Sequence, residues 1–559
     1  MLRSNPQQPP QDYKVVIAYD FGTTYSGAAY AFTHSTPTEV FDVLNWPQKG
    51  GYYFPKVPTL SVYPRHNQQK DTQSPERSTL TEWGHGAKKA MLKPHADKRN
   101  ILLSRFKLHL DESLNNTPIE NGLTPVQVVA DYLSALHQHT LNELKIGFAN
   151  SYHPDTFRYC LTVPAVWSDK AKSLMRQAAI KAGLILPSDP PDRLVLISEP
   201  EAAALYCEET MADQVQLKDN DRIMICDAGG GTVDLIVFTV NIVGNIQSST
   251  RKKRQLKEVT KGMGESCGSV FLDKKFHELL KTKLGPHVIE KMNLREMNGL
   301  MEYFTETIKP DFNGVDDFYL ELPRSVKVEE LPENVREEDE DGYLDEAILK
   351  LSSQELKEQV FDPVVNKVLS LIERQYQQIP DGRLDFLFLV GGFGSSKYLY
   401  ERIKNIFQGT KVNHIVCPAE RAALAVVRGA VYHGVYPQVV VSRISRRSYG
   451  INLGMDYDAN IDPPSKRAVR PDGRVICEDR FALFVKKENE LPVDYCIERQ
   501  GYVYYGTKTV DDIGLYATEN DSIPRYCDEP GVYRTATILV PIPTVPGMNM
   551  NDHLYYTIR

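Results

Sequence analysis

Two short segments carry residues whose types and spacing could bind a phosphate. They are Asp20-Phe21-Gly22-Thr23-Thr24 and Asp227-Ala228-Gly229-Gly230-Gly231-Thr232, and each follows an apolar run that ends in its aspartate. Glycine allows close backbone approach, and successive N–H groups in such a turn form an anion-binding nest. Threonine hydroxyls add hydrogen bonds, and an aspartate at a strand end can hold a hydrated Mg²⁺. One such turn could be an ordinary glycine turn, but two copies, one in each half, predict a phosphate clamp.

Other motifs compete poorly with this interpretation. The sequence contains no G-x-x-x-x-G-K-[ST] P-loop and no G-x-G-x-x-G dinucleotide turn. Gly264-Glu265-Ser266-Cys267-Gly268 fits the G-x-S-x-G pattern of serine hydrolases, but the preceding LKEVTKGM is polar where a nucleophile turn needs an apolar strand. A glycine-rich turn that enters a helix is therefore favoured at this position.

The segments around the two turns alternate between strand-like and helix-like patterns. KVVIAYDFG, FRYCLTVPAVW, RIMICDAGGG and LDFLFLVGGFG are β-rich runs, and amphipathic helical stretches separate them. From Lys14 to about Tyr436 this alternation predicts an α/β fold with mostly parallel central strands. The short strand-like runs after Tyr436 predict a linker over 437–447 and a β-rich unit over 448–559.

The composition is that of a globular chain. It has 559 residues, 42% of them hydrophobic and 25% charged, with a formal net charge of −8. A net negative charge argues against a nucleic-acid binder. No apolar run in the sequence is long enough to span a membrane. Eight scattered cysteines without a C-x-x-C pair favour reduced thiols in the cytoplasm or nucleus, and argue against a zinc site. The polar residues 1–13 predict a disordered N-terminus.

Taken together, these segments resemble the seventy-kilodalton heat-shock protein family of the actin-like ATPase superfamily. AYDFGTTYSG and CDAGGGTVDLIVF are similar to its two phosphate motifs, LISEPEAAALYC to its Glu-Pro helix start, and LFLVGGFGSSKYL to its adenosine motif. The resemblance covers nearly all of 14–436 and implies a duplicated actin-like ATPase fold, α/β, followed by a C-terminal β-rich domain. Each of two lobes would contain a mixed five-stranded sheet flanked by helices. Lobe I would span about 14–217 with a return helix at 415–436, and lobe II about 218–414.

The resemblance also implies roles for single residues. Asp20 and Asp227 would hold Mg²⁺ through water and help orient the attacking water. Glu199 would position that water or the metal shell, and Lys107 would stand beside the γ-phosphate. The phosphates would be contacted by Gly22, Thr23, Thr24, Tyr25, Gly229, Gly230, Gly231 and Thr232. The adenosine would be approached by Glu306, Lys309, Gly391, Gly392 and Ser395. The implied activity is slow hydrolysis of ATP to ADP and phosphate, driving a chaperone-like switch that acts on unfolded or partner polypeptides.

Plainer interpretations stay open for several of these residues. Glu199 before Pro200 is also typical of a carboxylate at a helix start, and Lys107 of a surface lysine. Glu306 and Lys309 could form a simple i, i+3 pair on a helix. For the whole protein, the alternatives are a nucleotide-binding scaffold without turnover and a small-molecule kinase on the same fold.

The sequence departs from the family pattern at several positions. Lys172 stands where the family has an arginine after the switch proline, here Pro164, and the loop Gly391–Ser396 lacks an arginine. The stretch after Pro418 gives no aspartate that would contact the ribose. QVVVSRISRR is basic where the family linker is acidic, and the sequence ends at Arg559 without a helical lid. These departures predict altered signalling between domains and argue against a J-domain co-chaperone as a partner.

Overall fold

The protein is described here by a computed structural model. The described residues are 13–35, 38–51, 54–65, 79–111, 118–148, 153–212, 214–243, 253–337, 339, 341–418, 422–493, 495–507 and 509–558. The predicted disordered N-terminus lies outside them, except for Tyr13, which is buried and donates a hydrogen bond to Asp192. The chain groups into two compact units, one made of 1–254 with 262–439 and the other of 255–261 with 440–559.

Strands and helices are numbered here in chain order. The strands are β1 Val15–Phe21, β2 Tyr25–Phe32, β3 Val40–Asp42, β4 Val57–Pro58, β5 Leu60–Pro64, β6 Glu82–Trp83, β7 Asn100–Ser104, β8 Phe157–Val163, β9 Leu194–Ser198, β10 Arg222–Ala228, β11 Val233–Val243, β12 Lys253–Glu265, β13 Phe318–Glu321, β14 Ile348–Leu351, β15 Phe386–Val390, β16 His414–Val416, β17 Val440–Ile444, β18 Ser448–Asp456, β19 Arg467–Val469, β20 Val475–Val485, β21 Glu490–Pro492, β22 Arg499–Tyr504, β23 Val510–Thr518, β24 Val532–Pro541 and β25 His553–Ile558. The helices are α1 Gly84–Met91, α2 Ala96–Arg99, α3 Pro125–Phe148, α4 Asp169–Lys181, α5 Glu199–Met211, α6 Val270–Leu284, α7 Pro286–Lys291, α8 Leu294–Tyr303, α9 Lys309–Asp311, α10 Glu333–Glu337, α11 Ser353–Glu355, α12 Asp362–Gln377, α13 Lys397–Phe407 and α14 Ala425–Val435.

The first sheet of the first unit is built around β1. It has six strands where five were expected: β3-β2-β1-β8-β9 in order, and β4, which also pairs with β2. Strand β1 is antiparallel to β2 and parallel to β8, and β8 is parallel to β9. All seven residues of β1 are buried. A central strand covered on both faces needs such a continuous apolar run, which is why the VVIAYDF segment lacks polar alternation.

A second group of strands in the same unit repeats this order of pairings. Strand β10 is antiparallel to β11 and parallel to β15, and β15 is parallel to β16. Strand β15 is completely buried, like β1. The predicted α/β character is therefore confirmed. In both groups, the strand that carries the phosphate-motif aspartate near its end pairs in parallel with a neighbouring strand, β1 with β8 and β10 with β15.

Helices cover the first sheet. Helix α3 packs against α4, and a core of apolar side chains from β1, β8, α3 and α4 fills the space between these elements. Helix α14 packs against α5, β1 and β8, so the segment that closes the first unit in sequence lies beside its first strand. Helix α5 also contacts β10 and β11.

The second unit consists mainly of antiparallel strands. Its largest sheet has the order β19-β20-β18-β23-β24, and β22 pairs with β25 in a two-stranded sheet. Within the described part of 440–558, the regular structure is β-strand apart from a short 3₁₀ turn at Pro464–Lys466. Residues 437–447 contain strand β17, which pairs in parallel with Leu256 of β12. This pairing explains why 255–261 group with the C-terminal strands. The boundary near 436 that the sequence predicted does not include these residues in the C-terminal unit.

Candidate functional site

The two aspartates of the phosphate motifs occupy equivalent positions in their hairpins. Asp20 lies near the end of β1 opposite Gly27 of β2, and Asp227 lies near the end of β10 opposite Asp234 of β11. Asp20 and Asp227 are each 5% exposed. A buried carboxylate needs compensating partners, so the surroundings of these two side chains determine what the site can bind.

The two glycine-rich turns face each other at van der Waals distance. A Cβ atom added to Gly230 would overlap the Thr24 side chain, and one added to Gly231 would overlap Thr23. Only a residue without a side chain fits at these two positions. The structure therefore brings together residues from the first and second motifs that the sequence analysis assigned to phosphate binding.

The second turn is anchored by the start of α6. The backbone N–H groups of Gly268, Ser269 and Val270 donate to the carbonyl oxygens of Gly231, Gly229 and Gly230 at 3.2, 3.1 and 2.9 Å. The Gly229 N–H donates to the Thr232 carbonyl at 3.0 Å and closes the turn. The G-x-S-x-G segment therefore leads into the helix whose first N–H groups hold the second glycine turn in place. This agrees with its interpretation as a glycine-rich turn that enters a helix.

Lys107 and Glu199 form a buried ion pair. Lys107 lies in a 3₁₀ turn, Phe106–Leu110, and donates to Oε1 of Glu199 at the start of α5. The Lys107 ammonium group lies 5.9 Å from the centre of the Phe21 ring and 5.6 Å from that of Trp167. Aromatic faces attract a desolvated cation, which accounts for a lysine that is only 2% exposed. The alternative of a solvated surface lysine is therefore wrong for Lys107.

Asp20 has partners on both of its carboxylate oxygens. Thr162 of β8 donates to Oδ1 at 3.0 Å, and Lys56 donates to Oδ2 at 2.5 Å. The sequence analysis did not find Lys56, because it lies in a loop before β4 with no motif around it. The structure is what brings this lysine to the phosphate-motif aspartate.

Asp234 is a second residue that the sequence analysis missed. It is fully buried, and its Oδ1 accepts a hydrogen bond from the Ala165 N–H at 2.9 Å. Ala165 directly follows Pro164, the proline that resembles the family switch. The sequence held a signal for Asp234, because it is an acidic residue near the start of the apolar run VDLIVF; the structure shows that it is the register partner of Asp227.

Burial and the neighbouring carboxylates of the site raise the pKa values of Glu199 and Asp227. Burial raises the pKa of Asp227 well above its usual range, and the charges of Glu199, Asp20 and Asp234 raise it further, while Lys56 lowers it. Burial raises the pKa of Glu199 to about 7, against the attraction of Lys107. The four carboxylates face two lysines, so the cluster carries an excess of two formal negative charges when all six groups are ionised.

This arrangement fits a hydrated Mg²⁺ with the phosphates of a nucleotide. The cluster is rich in carboxylates, and oxygen ligands are the kind that Mg²⁺ takes. Thr23 and Thr24 lie against Gly231 and Gly230, so the hydroxyl donors of one turn and the backbone donors of the other are close together, as an anion site requires. Among the described residues, no group of three or more His, Cys, Asp and Glu side chains is placed to ligate a metal directly. A metal held through water does not require such a group.

The loop proposed for adenosine lies beside the second phosphate turn. Gly391 has φ 86°, and a Cβ there would lie 2.5 Å from Asp227 Oδ1 and would overlap the Ala228 carbonyl. The Phe393 N–H donates to that carbonyl at 2.9 Å, and Ser395 Oγ donates to the Gly392 carbonyl at 2.7 Å. Gly391 therefore lies against the Asp227 side chain, while Gly392 is exposed to solvent.

Glu306 and Lys309 have their partners outside the acidic centre. Lys309 donates to Asp273 of α6 at 2.6 Å, and Glu306, in the π-helical turn Phe304–Ile308, lies 3.9 Å from Lys88 of α1. The alternative of a pair formed between these two residues is therefore not observed, because each has another partner. Tyr25, the remaining phosphate-motif residue, packs its ring on Phe54 with 4.7 Å between centroids.

Comparison with known proteins gives two kinds of match. Residues 217–416 match a family model described as a domain of unknown function, DUF8340. Over 96% of this chain and 86% of the relative, the sequence is 25% identical to Heat shock 70 kDa protein 12A of Mus musculus. Heat shock 70 kDa protein 12B of Homo sapiens is 25% identical over 95% of this chain and 84% of its own length. The mitochondrial iron-sulfur cluster biogenesis chaperone of Saccharomyces cerevisiae is 25% identical over 79% of this chain and 63% of its own length.

Among the described residues, no helix is both long enough and apolar enough to cross a lipid bilayer.

Proposed function

The chain belongs to a divergent branch of the seventy-kilodalton heat-shock protein family, and from that premise we propose that it binds ATP with Mg²⁺ and hydrolyses it slowly to switch between two conformations. The observation that carries this proposal is the meeting of Thr23 and Thr24 with Gly231 and Gly230, next in sequence to the buried hairpin aspartates. Such a clamp supplies backbone donors and hydroxyls to the phosphates, which is what phosphoryl transfer requires of a protein.

Each residue then has a role in the proposed reaction. Asp20 and Asp227 hold the waters of a Mg²⁺ ion, whose charge neutralises the phosphates when it is bound. The backbone and hydroxyl groups of Gly22–Tyr25 and Gly229–Thr232 hold the phosphate oxygens. Lys107 stabilises the negative charge that develops on the transferred phosphoryl group, and Glu199 orients the attacking water. Gly391, Gly392 and Ser395 border the adenosine, with Glu306 and Lys309 on its far side.

The proposed architecture has two lobes and a β-rich appendage. We assign lobe I to about 14–217 with the return helix 415–436, and lobe II to about 218–414. The repeated order of pairings around β1 and β10 supports a duplication, and the packing of α14 on β1 and β8 supports its return to lobe I. We assign 437–447 to a linker and 448–559 to a substrate-binding-like domain.

The proposed partners are unfolded or client polypeptides. Strand β24 is an outer strand of its sheet, and most of its side chains are exposed, among them Leu539 at 65%. An extended peptide can add to such an edge through main-chain hydrogen bonds. The eight cysteines are all free in the structure, which is consistent with the proposed place in the cytoplasm or nucleus.

Release of phosphate from ATP by the purified chain, with and without an unfolded polypeptide, tests the proposal. We expect slow turnover that the unfolded polypeptide stimulates, and we expect Asp20→Asn to abolish it. Turnover by Asp20→Asn at the wild-type rate would contradict the assignment. Tight ATP binding without any phosphate release would favour the scaffold alternative, and ADP release that depends on an added sugar would favour the kinase alternative.

A further inference from the structure

Lys56 is a buried lysine that is fastened to the first phosphate turn. It directly precedes β4, which pairs with Tyr25 and Ser26 of β2. Three residues after Lys56, Thr59 donates through Oγ1 to the Gly22 carbonyl at 2.9 Å and through its N–H to the Thr24 carbonyl at 2.8 Å. The segment that carries Lys56 is therefore fixed to the same turn that is proposed to hold the phosphates.

The side chain of Lys56 reaches inward to Asp20. Its stem crosses the β2 backbone at Gly27, where a Cβ would lie 3.3 Å from Lys56 Cγ. Its ammonium group lies 2.5 Å from Asp20 Oδ2, and the two side chains are 10% and 6% exposed. Thr162 holds the other carboxylate oxygen, so Asp20 is oriented on both sides by residues of the first unit.

Lys56 and a divalent cation make competing demands on Asp20. The proposed function uses Asp20 to hold the waters of Mg²⁺, and two cations that share one carboxylate repel each other strongly in a buried site. Lys107 cannot take the place of Lys56 in this competition, because it is paired with Glu199 between the rings of Phe21 and Trp167. Each lysine of the site thus has its own carboxylate.

We propose that Lys56 is a positioning residue that takes the place of the metal, neutralising Asp20 in the nucleotide-free protein and releasing it when Mg²⁺ enters with a nucleotide. The inference rests on the proposed function, because it concerns the same site. Removing one partner of a buried ion pair leaves an uncompensated charge, so Lys56 keeps Asp20 from destabilising the empty site. It also weakens binding of Mg²⁺ alone, since the ion must displace an ammonium group that finds a new anionic partner only when phosphates arrive.

Thermal unfolding without nucleotide, with and without Mg²⁺, tests this inference. We expect Lys56→Met to lower the melting temperature in the absence of Mg²⁺, and Mg²⁺ to stabilise this variant more than the wild type. The apparent affinity for Mg²⁺ alone should rise by about tenfold, because the site has lost one positive charge. The added effect of Mg²⁺ should vanish in the double variant Lys56→Met with Asp20→Asn.

Lys283→Met is the matched control. Lys283 pairs with Glu355 at 2.5 Å, and its side chain is 10% exposed, as that of Lys56 is. This pair involves α6 and α11 and none of the site carboxylates. We expect Lys283→Met to lower stability without any gain in stabilisation by Mg²⁺. An equal gain in this control would overturn the inference, as would a Lys56→Met variant that responds to Mg²⁺ like the wild type.

Lys56→Arg provides a test that keeps the positive charge and does not depend on a destabilised variant. A guanidinium group binds a carboxylate in a bidentate manner and cannot be deprotonated, so this variant should bind Mg²⁺ alone no more tightly than the wild type. Tighter binding of Mg²⁺ by Lys56→Arg would overturn the inference.

The outcomes separate the inference from the proposed function. Binding of MgATP to the wild type, measured by calorimetry, tests the function without reference to Lys56. If the wild type binds MgATP while Lys56→Met gains no response to Mg²⁺, the inference is wrong and the function stands. If MgATP does not bind, the proposed function is wrong and so is the release of Asp20 by a nucleotide; a Mg²⁺ response that depends on both Lys56 and Asp20 would then support only the exchange of Lys56 for the metal.

Discussion

Lys107 donates a hydrogen bond to Glu199 in an ion pair that is almost fully removed from solvent, with the lysine 2% and the glutamate 11% exposed at their side chains. The rings of Phe21 and Trp167 flank the ammonium group. This pair joins the 3₁₀ turn Phe106–Leu110 to the start of α5. It places a cation and a carboxylate next to the phosphate-motif aspartates, where the proposed reaction would need charge neutralisation and positioning of water.

Lys107→Met should reduce ATP turnover while nucleotide binding is largely kept. The loss of one charged donor aimed at the transferred group typically lowers the rate about 10²–10³-fold. Single-turnover release of phosphate measures the rate, and the fluorescence of the neighbouring Trp167 reports nucleotide binding. Lys411→Met, which breaks the Lys411–Glu373 pair of α12, is the control and should keep the rate. Normal turnover in Lys107→Met would remove Lys107 from the catalytic residues.

The contribution of Glu199 to the stability of the nucleotide-free protein should fall as the pH rises from 4.5 to 7. Burial raises the pKa of Glu199 from 4.5 to about 7, so the folded protein binds this proton more tightly than the unfolded chain. The contribution of Glu199 is then fully present below pH 4.5 and is lost by about pH 7, a change on the order of 3 kcal/mol. Urea unfolding at a series of pH values without metal measures this slope.

Glu199→Gln should remove the part of the slope of stability against pH that Glu199 contributes, because the amide does not titrate. The same substitution at Glu302, whose side chain is 48% exposed on α8, serves as the comparison and should leave the slope in place. An unchanged slope in Glu199→Gln would show that another group causes the pH dependence.

Gly230→Ala and Gly231→Ala should each weaken nucleotide binding and slow turnover. A methyl group at these positions would overlap Thr24 or Thr23 and push the two phosphate turns apart. Gly299→Ala is the matched control, since this glycine lies in α8 and its Cβ would meet no atom within 4 Å. Alanine should stabilise that helix by about 0.5–1 kcal/mol without changing nucleotide affinity. Calorimetric titration with ATP distinguishes these expectations, and equal affinities in all three variants would contradict them.

Leu539→Asp should weaken binding of an extended apolar peptide to the second unit. Leu539 is exposed on β24, an outer strand of ten residues, and a charge at such an edge opposes the addition of another strand. Val469→Asp, on the three-residue strand β19 at the other edge of the same sheet, is the control and should have little effect. Fluorescence anisotropy of a labelled peptide measures both. A larger loss with Val469→Asp would move the proposed binding edge to β19.

The sequence predicted the local features of the site. The apolar runs that end in Asp20 and Asp227 became β1 and β10, and the glycine turns after them meet as expected of a clamp. Lys107 was placed by resemblance alone, and its burial against Glu199 depends on packing that no local pattern encodes. Asp234 could have been found from the break it makes in an apolar strand, whereas Lys56 left no signal in the sequence.

Local composition by itself determined which segments form strands and turns in this protein, because apolar runs and glycine turns act over a few residues. Only the tertiary structure decided which charges meet in the site. Lys56 reaches Asp20, and Lys107 reaches Glu199, through the crossing of elements that are far apart in the chain. The same holds for 255–261, which join the C-terminal strands through the pairing of β12 with β17. Pairings of this kind depend on how whole sheets and helices pack. The sequence around each residue does not indicate which partner it will meet.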